Sequence, residues 1–401
     1  MNDAMQTDAS IAGPPTGARD ARGLDPYDAI LLISFGGPER PEDVMPFMHR
    51  VTGGRVPQER LVEVAQHYYA RDGRSPINDE SRALVAAMSA ELGRRGVDTP
   101  IIWGNRHFAP YVTDALAEAG DRGLHRLLVV VTSAFSSYSG CRVYREELAA
   151  GLAETGLADR LELDLIRPFG STPAFRVPMA RLTREAVQAL AQEHGIGTER
   201  IAQEILIMFV THSIPDSMAH ASGPPDEPNG YVTGQLAACA WVVQDLAEHF
   251  GAAPAWELTY CSRSGSPKDP WLEPDVSDAL AQAAARGVRQ VVVVPIGFVS
   301  DHMEVVYDLD EEAAQTAAEL GLNFARVSTV RDDVQFVSGL VDLVFDRAAQ
   351  ESGRQPSRRS GQLSSRCPAG CCANAARPGI PAIAEESPGQ GERASAERLQ
   401  G

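Results

Sequence analysis

The chain has 401 residues, 44% of them hydrophobic and 22% charged, with a formal net charge of -18. That length suits two ordinary domains, each able to bury its own core. The acidic balance argues against nucleic acid, whose phosphates need a basic surface, and leaves cations as partners. The first 25 residues carry Asp3, Asp8 and Asp20 among Pro, Gly and Ala, and lack the basic start and apolar core of a signal peptide. Segment 1–25 reads as disordered. The expected location is cytoplasmic, where the six cysteines stay reduced. No apolar run reaches the roughly 18 residues of a membrane helix; the longest, 127–131 and 291–296, are strand-sized, so no transmembrane segment is expected.

Eight short runs rich in Val, Ile and Leu read as strands, near 28–35, 100–107, 126–134, 161–167, 205–211, 256–261, 290–298 and 322–328. Between most of them lie amphipathic stretches at 81–94, 110–118, 181–192, 234–249 and 275–286, which read as helices. Strands alternating with helices mean right-handed βαβ units, and near-continuous apolar runs mean strands buried on both faces of a parallel sheet. The expected class is α/β, with two Rossmann-like doubly wound domains, 26–175 and 176–350, each holding a four-stranded parallel sheet flanked by helices. From 351 to 401 the chain turns rich in Ser, Arg, Gly, Pro and Glu and reads as a largely disordered, Cys-containing tail.

Ligands of such sheets bind beyond the carboxyl ends of the strands, so the residues after each strand come first. The first strand leads into Ser34-Phe35-Gly36-Gly37-Pro38, where glycines admit a ligand close to the backbone but form no phosphate loop; a nucleotide cofactor is not indicated. The second supplies Arg106 and His107, and the third is followed by Cys141. The fifth ends in Thr211-His212-Ser213-Ile214-Pro215, which puts a histidine suited to base or metal-ligand chemistry at a sheet edge; a packed or capping histidine is the competing reading. Asp269 to Asp275, with Pro270 and Pro274, reads as a rigid turn before a helix. After the seventh strand come Asp301, His302, Glu304, Asp308, Asp310 and Glu311. Helical spacing puts Glu304, Asp308 and Glu311 on one face. A solvated acidic helix start, favoured by the helix dipole, gives such a row, and so does a path for a hard divalent cation. Cys239 and Cys261 read as small buried residues, whereas Cys367, Cys371 and Cys372 cluster in a tail with no other reason to hold cysteine.

The strings SFGGPE at 34–39, GRSPIN at 73–78, GNRHFAP at 104–110, THSIP at 211–215, DPWLEPDV at 269–276 and GFVSDHMEVVYDLD at 297–310 stand in the order and spacing of the ferrochelatase family, which the chain resembles from about residue 27 to 347. The resemblance implies insertion of ferrous iron, as substrate, into a porphyrin bent in the cleft between the halves. It implies His212 as catalytic base or metal ligand, Glu304 as its partner across the pocket, and Asp301, Asp308 and Glu311 as an acidic row for metal or protons on a helix often carrying a π-bulge. Phe35, Glu39, Arg50, Arg55, Ser75, Asn78 and His107 are the matching candidates to bind the porphyrin, with Arg74 beside them. The chain looks like the actinobacterial type, in which Cys141 with Cys367, Cys371 and Cys372 would hold a [2Fe–2S] cluster, zinc or free thiols being the alternative. The same likeness favours coproporphyrin III over protoporphyrin IX as substrate and allows transient contact with other haem-pathway enzymes. A cobalt or nickel chelatase and a non-enzymatic haem or iron–sulfur sensor are the competing functions.

Overall fold

The computed structural model describes residues 23–54, 56–264, 268–353, 366–374, 377 and 379–385; Arg55, segment 1–22 and the rest of the tail lie outside the described residues. The eight expected strands are present: β1 (Ala29–Ser34), β2 (Ile101–Asn105), β3 (Arg126–Val131), β4 (Glu162–Leu165), β5 (Ile205–His212), β6 (Ala255–Cys261), β7 (Gln290–Val294) and β8 (Asn323–Arg326). They form two four-stranded sheets, ordered β2-β1-β3-β4 and β6-β5-β7-β8, with every pairing parallel. The second half thus repeats the topology of the first. Every residue of β1 is buried, which is why this strand reads as one apolar run and not as an alternation.

In each sheet the central strand has a neighbour on both sides, and the connections to them leave in opposite directions, opening a crevice at its carboxyl end. β1 delivers Ser34 to one crevice and β5 delivers His212 to the other. The two sheets do not keep separate cores. One apolar cluster joins Ile30 and Leu32 of β1 to Phe175 and Met179 of the Pro173–Glu193 helix, Phe209 of β5, Val292 of β7, and Phe336 and Val344 of the Val334–Glu351 helix. At this seam the rings of Phe135, Phe169, Phe175 and Phe336 meet with centroids 5.8–6.4 Å apart, in the edge-on and tilted geometries aromatic pairs prefer. Two smaller clusters cover the outer sheet faces. The Pro173–Glu193 helix begins before the expected 181, with Pro173 in its first turn, where a missing N–H costs nothing.

The described pieces of the two terminal segments pack on the body. Leu24 is buried in the core. In the tail, residues 366–374 and 379–385 bond to each other, Cys367 N–H donating to Ala384 O at 3.0 Å, and dock on the body: Ile383 N–H donates to Arg145 O at 3.2 Å, Cys372 N–H to Gly223 O at 3.0 Å, and Arg167 Nη1 to Arg366 O at 3.1 Å. Hydrophobic periodicity cannot reveal a segment held by hydrogen bonds and buried thiols. Among the described residues no helix is long and apolar enough to cross a membrane.

Asp164 on β4 ties the final helix to the first sheet. Its buried carboxylate accepts from Arg126 Nη2 at 2.6 Å, Arg347 Nη2 at 2.9 Å and Tyr27 Oη at 3.2 Å. Removing one member of a buried ion network leaves uncompensated charge. Asp164→Ala is therefore expected to lose about 3–5 kcal/mol in urea unfolding; a loss below about 1 kcal/mol would mean the network is no stronger than a surface pair.

Candidate active site

His212 is the last residue of β5, paired in register with Cys261. Its Nδ1 faces the carbonyl of Ser213 at 2.5 Å. A carbonyl only accepts, so Nδ1 carries a proton, and in the neutral ring Nε2 is the nitrogen left to accept one. Nε2 points at Glu304 Oε2, 3.6 Å away. The ring's anchor is itself held: Tyr231 Oη donates to the His212 carbonyl at 2.8 Å and lies 2.9 Å from Thr211 Oγ1, while Ser213 Oγ donates to Leu272 O at 2.8 Å. Gly297 is obligatory behind this edge, because a Cβ there would stand 2.1 Å from Thr211 Oγ1. A cavity of about 540 Å³ lined by Asp216, His220, Asn229, Thr233 and Leu272 opens beside the same segment.

Glu304 lies between two histidines, with His302 Nδ1 3.8 Å from the same Oε2. Burial lowers His302, opposed by Glu304 and seconded by His212. From Val306 to Ala313 the helix is a π-helix, the local geometry the family resemblance anticipates. The wider turn re-phases the acidic row. Glu311 swings outward to Arg71, with Oε1 2.6 Å from Nε. Glu312 instead joins the inner row: Asp308 is pushed up to about 7 by burial, opposed by a hydrogen bond from the Ser262 hydroxyl and raised further by Glu304, Glu312 and Asp275. An α-helical ruler picked Glu311 and missed Glu312 for that reason. Asp301 is not part of the row either, since its buried carboxylate accepts from Arg326 Nη1 at 3.0 Å and Thr329 Oγ1 at 3.0 Å.

The lip consists of the Pro41–Thr52 and Gln58–Tyr69 helices, rooted in a cluster of Phe47, Leu61, Tyr68 and Met303 with Phe35 and Phe108 against it. Met303 thus carries the acidic segment up against the lip. His67 stacks flat on Tyr307, centroids 3.5 Å apart at 8°. Burial raises the Tyr68 phenol, and Glu304 and Asp308 raise it further; contact with a segment so distant in the chain gives no sequence signal. His107 is held neutral, lowered to about 3 by burial and then by Arg106 and Arg50, and its ring lies 4.5 Å from Phe35. Arg50 stacks on Tyr111 at 4.0 Å. Other lip candidates are engaged inside the protein. Asn78 Nδ2 donates to Gly37 O at 2.8 Å and to Glu39 Oε1 at 3.0 Å, Arg82 also binds Glu39, Arg74 pairs with Asp79, and Ser75 is buried. Glu39, Ser75 and Asn78 hold the glycine turn in shape.

Residues 27–348 match the family described as Ferrochelatase. The chain belongs to the ferrochelatase family. It is 45% identical to a "Coproporphyrin III ferrochelatase" of Leifsonia xyli subsp. xyli over 90% of this chain and 95% of that one. It is 46% identical to another of that name from Streptomyces griseus subsp. griseus over 88% and 95%, and 47% identical to one from Frankia alni over 86% of each. As a member of this family the chain is a porphyrin metal chelatase.

This ferrochelatase also gathers four buried thiols. Cys141 lies in a second π-helix, Tyr138–Arg142. Its thiol is raised by a hydrogen bond with Cys367, which in turn bonds Cys371, and Cys371 Sγ is 3.9 Å from Cys372 Sγ. Cys372 Sγ accepts from Gly223 N–H at 3.1 Å. Sequence distance gave no hint of the Gly223 contact. Among the described residues no group of three or more His, Cys, Asp or Glu side chains is arranged to hold a metal ion.

Glu80 reaches from the first half to accept the Asp301 N–H at 2.7 Å, and burial with Asp301 nearby pushes it from its ordinary 4.5 up to about 7. Across that window the native protein holds a proton that the unfolded chain has lost, so this group's contribution to stability falls as pH rises. Glu80→Gln keeps an acceptor for Asp301 and removes the titration. Relative to wild type, the variant is expected to gain stability between about pH 5 and pH 7 and to level off above; urea titrations giving a difference independent of pH would refute the assignment.

Proposed function

We propose that this ferrochelatase inserts ferrous iron into coproporphyrin III, and that His212 and Glu304 carry the insertion. One observation supports the pair above all others: Nδ1 of His212 is committed to the Ser213 carbonyl while Nε2 is free and aimed at Glu304. Insertion must strip both pyrrolic N–H protons and replace the water around the ion. Nε2 takes the two protons one after the other, Glu304 stabilises the imidazolium formed each time and offers the iron an oxygen, and each proton passes on to Asp308, whose elevated value near 7 lets it accept and release to solvent at neutral pH. Glu312 and Ser262 extend the polar row outward for a hydrated cation. Glu311, bound to Arg71, takes no direct part.

The names of the relatives support coproporphyrin III. Its propionates need cationic partners. Arg50, exposed and making no salt bridge among the described residues, is the lip residue for one of them, and Phe35 and His107 present a neutral ring pair for the macrocycle. A cytoplasmic setting and passing contacts with other haem-pathway enzymes belong to the same reading.

The four thiols fit a [2Fe–2S] cluster held by Cys141, Cys367, Cys371 and Cys372. Their sulfur-only donor set suits iron–sulfur ligation, and the buried Arg145 beside them leaves Nη1 and Nη2 without a partner, as a cation does when its anion is missing. Bound there, the cluster would supply one-electron redox chemistry and a cross-link between tail and body.

His212→Ala is expected to lower the rate of iron insertion by about 10²–10⁴-fold while porphyrin still binds, judged by fluorescence quenching; wild-type turnover in that variant would sink the assignment. Comparison of kcat/KM for coproporphyrin III and protoporphyrin IX should favour the former, and the reverse order would transfer the proposal to protoporphyrin. Protein purified without oxygen should show visible charge-transfer bands that Cys141→Ser lacks; a colourless wild type containing zinc would remove the iron–sulfur reading.

A further inference from the structure

Arg145 is 1% exposed, yet Nη1 and Nη2 of its guanidinium have no hydrogen-bond partner. Its remaining donor is spoken for: Nε donates to Ile383 O at 2.8 Å, while Ile383 N–H donates back to Arg145 O at 3.2 Å. That two-way bond fixes the fork against the docked tail. The nearby carboxylates are engaged elsewhere. Glu146 accepts from Arg142 Nε at 2.9 Å and Tyr138 Oη at 3.1 Å, and Glu385 accepts from Arg142 Nη1 at 2.7 Å and Gly370 N–H at 2.9 Å. The positive charge of Arg145 bears on Cys141, Cys367 and Cys372, lowering each, and on Glu385. A buried, unpaired guanidinium is costly, and Cys141 stands four residues before it where the π-helix runs into the Val143–Glu154 helix.

We propose that Arg145 sets the reduction potential of the cluster bound by Cys141, Cys367, Cys371 and Cys372, its free Nη1 and Nη2 donating to sulfur and offsetting the cluster's negative charge. The proposal rests on the iron–sulfur reading above. An oxidised cluster with four thiolates is dianionic and becomes trianionic on accepting one electron, so a fixed cation and N–H donors at the sulfurs stabilise the reduced form more than the oxidised one. Arg145 is a tuning residue and touches neither porphyrin nor iron substrate. Being pinned by Ile383, it also makes the potential depend on the tail being docked.

The test uses the full chain purified without oxygen, with iron and acid-labile sulfide measured first. Dithionite, a one-electron reductant, then titrates wild type, Arg145→Met and Arg145→Lys through redox mediators, followed by visible absorption and the electron spin signal of the reduced cluster. At a potential where wild type is half reduced, Arg145→Met should show a reduced-to-oxidised ratio at least about tenfold smaller, which is 59 mV for one electron, with Arg145→Lys between the two. A Met variant that keeps its cluster with an unchanged ratio overturns the proposal. If the Met variant holds no cluster, Lys decides: a retained cluster supports the compensating charge. Loss in both, with the tail cleaved by trypsin as readily as in Cys141→Ser, makes Arg145 a structural clamp and overturns it. A wild type without iron and sulfide overturns the cluster reading and this inference together, whereas a normal cluster with an unshifted Met variant overturns this inference alone.

Discussion

The Val334–Glu351 helix belongs to the second half by its place in the chain and to both halves by its packing. It lies against the Pro173–Glu193 helix and the Ile77–Arg94 helix, and its Phe336 and Val344 share one apolar cluster with strands of both sheets. Parallel sheets must cover both faces, and here a single seam of helices covers the inner faces of two sheets at once. Everything functional depends on that sharing. The crevices at the ends of β1 and β5 face a common space only because the seam fixes one sheet relative to the other, and the buried Asp164 network with Arg126, Arg347 and Tyr27 locks the same helix at its far end.

Within that frame the site is assembled by restricting what each polar group is free to do. His212 gives one nitrogen to the backbone and keeps the other. Asp301, Glu311 and Glu39 each look available in the sequence and are each engaged by an arginine. What remains is a short series, Glu304, Asp308 and Glu312, in which burial and then the charges of the other two raise Asp308. A row of carboxylates in water would be ionised throughout; a partly buried one shares protons, which is what exchanging metal for protons requires. The π-helix is the local device behind this, since a wider turn brings residues four apart into line and turns Glu311 away to the lip.

The thiols show a different use of the same packing. Three of them come from a segment with little capacity to fold by itself, and it docks because Cys367, Cys371 and Cys372 are buried and because its backbone groups find partners on both halves, at Arg145 and at Gly223. The strap therefore spans the same seam as the final helix, and the loop that holds Cys372 runs on to Asn229, at the wall of the cavity beside His212.

The eight strands, their division into two sets of four and the placement of His212 and Glu304 at a sheet edge were legible because parallel strands buried on both faces write themselves as apolar runs, and because the residue after such a run stands at the crevice. Six short strings in register carried the family. The sequence by itself could not decide matters that depend on chain segments meeting across the fold. That the two halves share one core follows from long-range packing with no local pattern. That Glu311 pairs with Arg71 while Glu312 bears on Asp308 follows from a π-helix, whose geometry differs from the α-helical spacing by which a sequence is read. That Ser262, Tyr68 and Tyr231 stand around the site, and that the charge of Arg145 reaches Cys141, Cys367 and Cys372, is decided by tertiary structure alone, because hydrogen bonds and ion pairs between distant residues leave no periodicity along the chain.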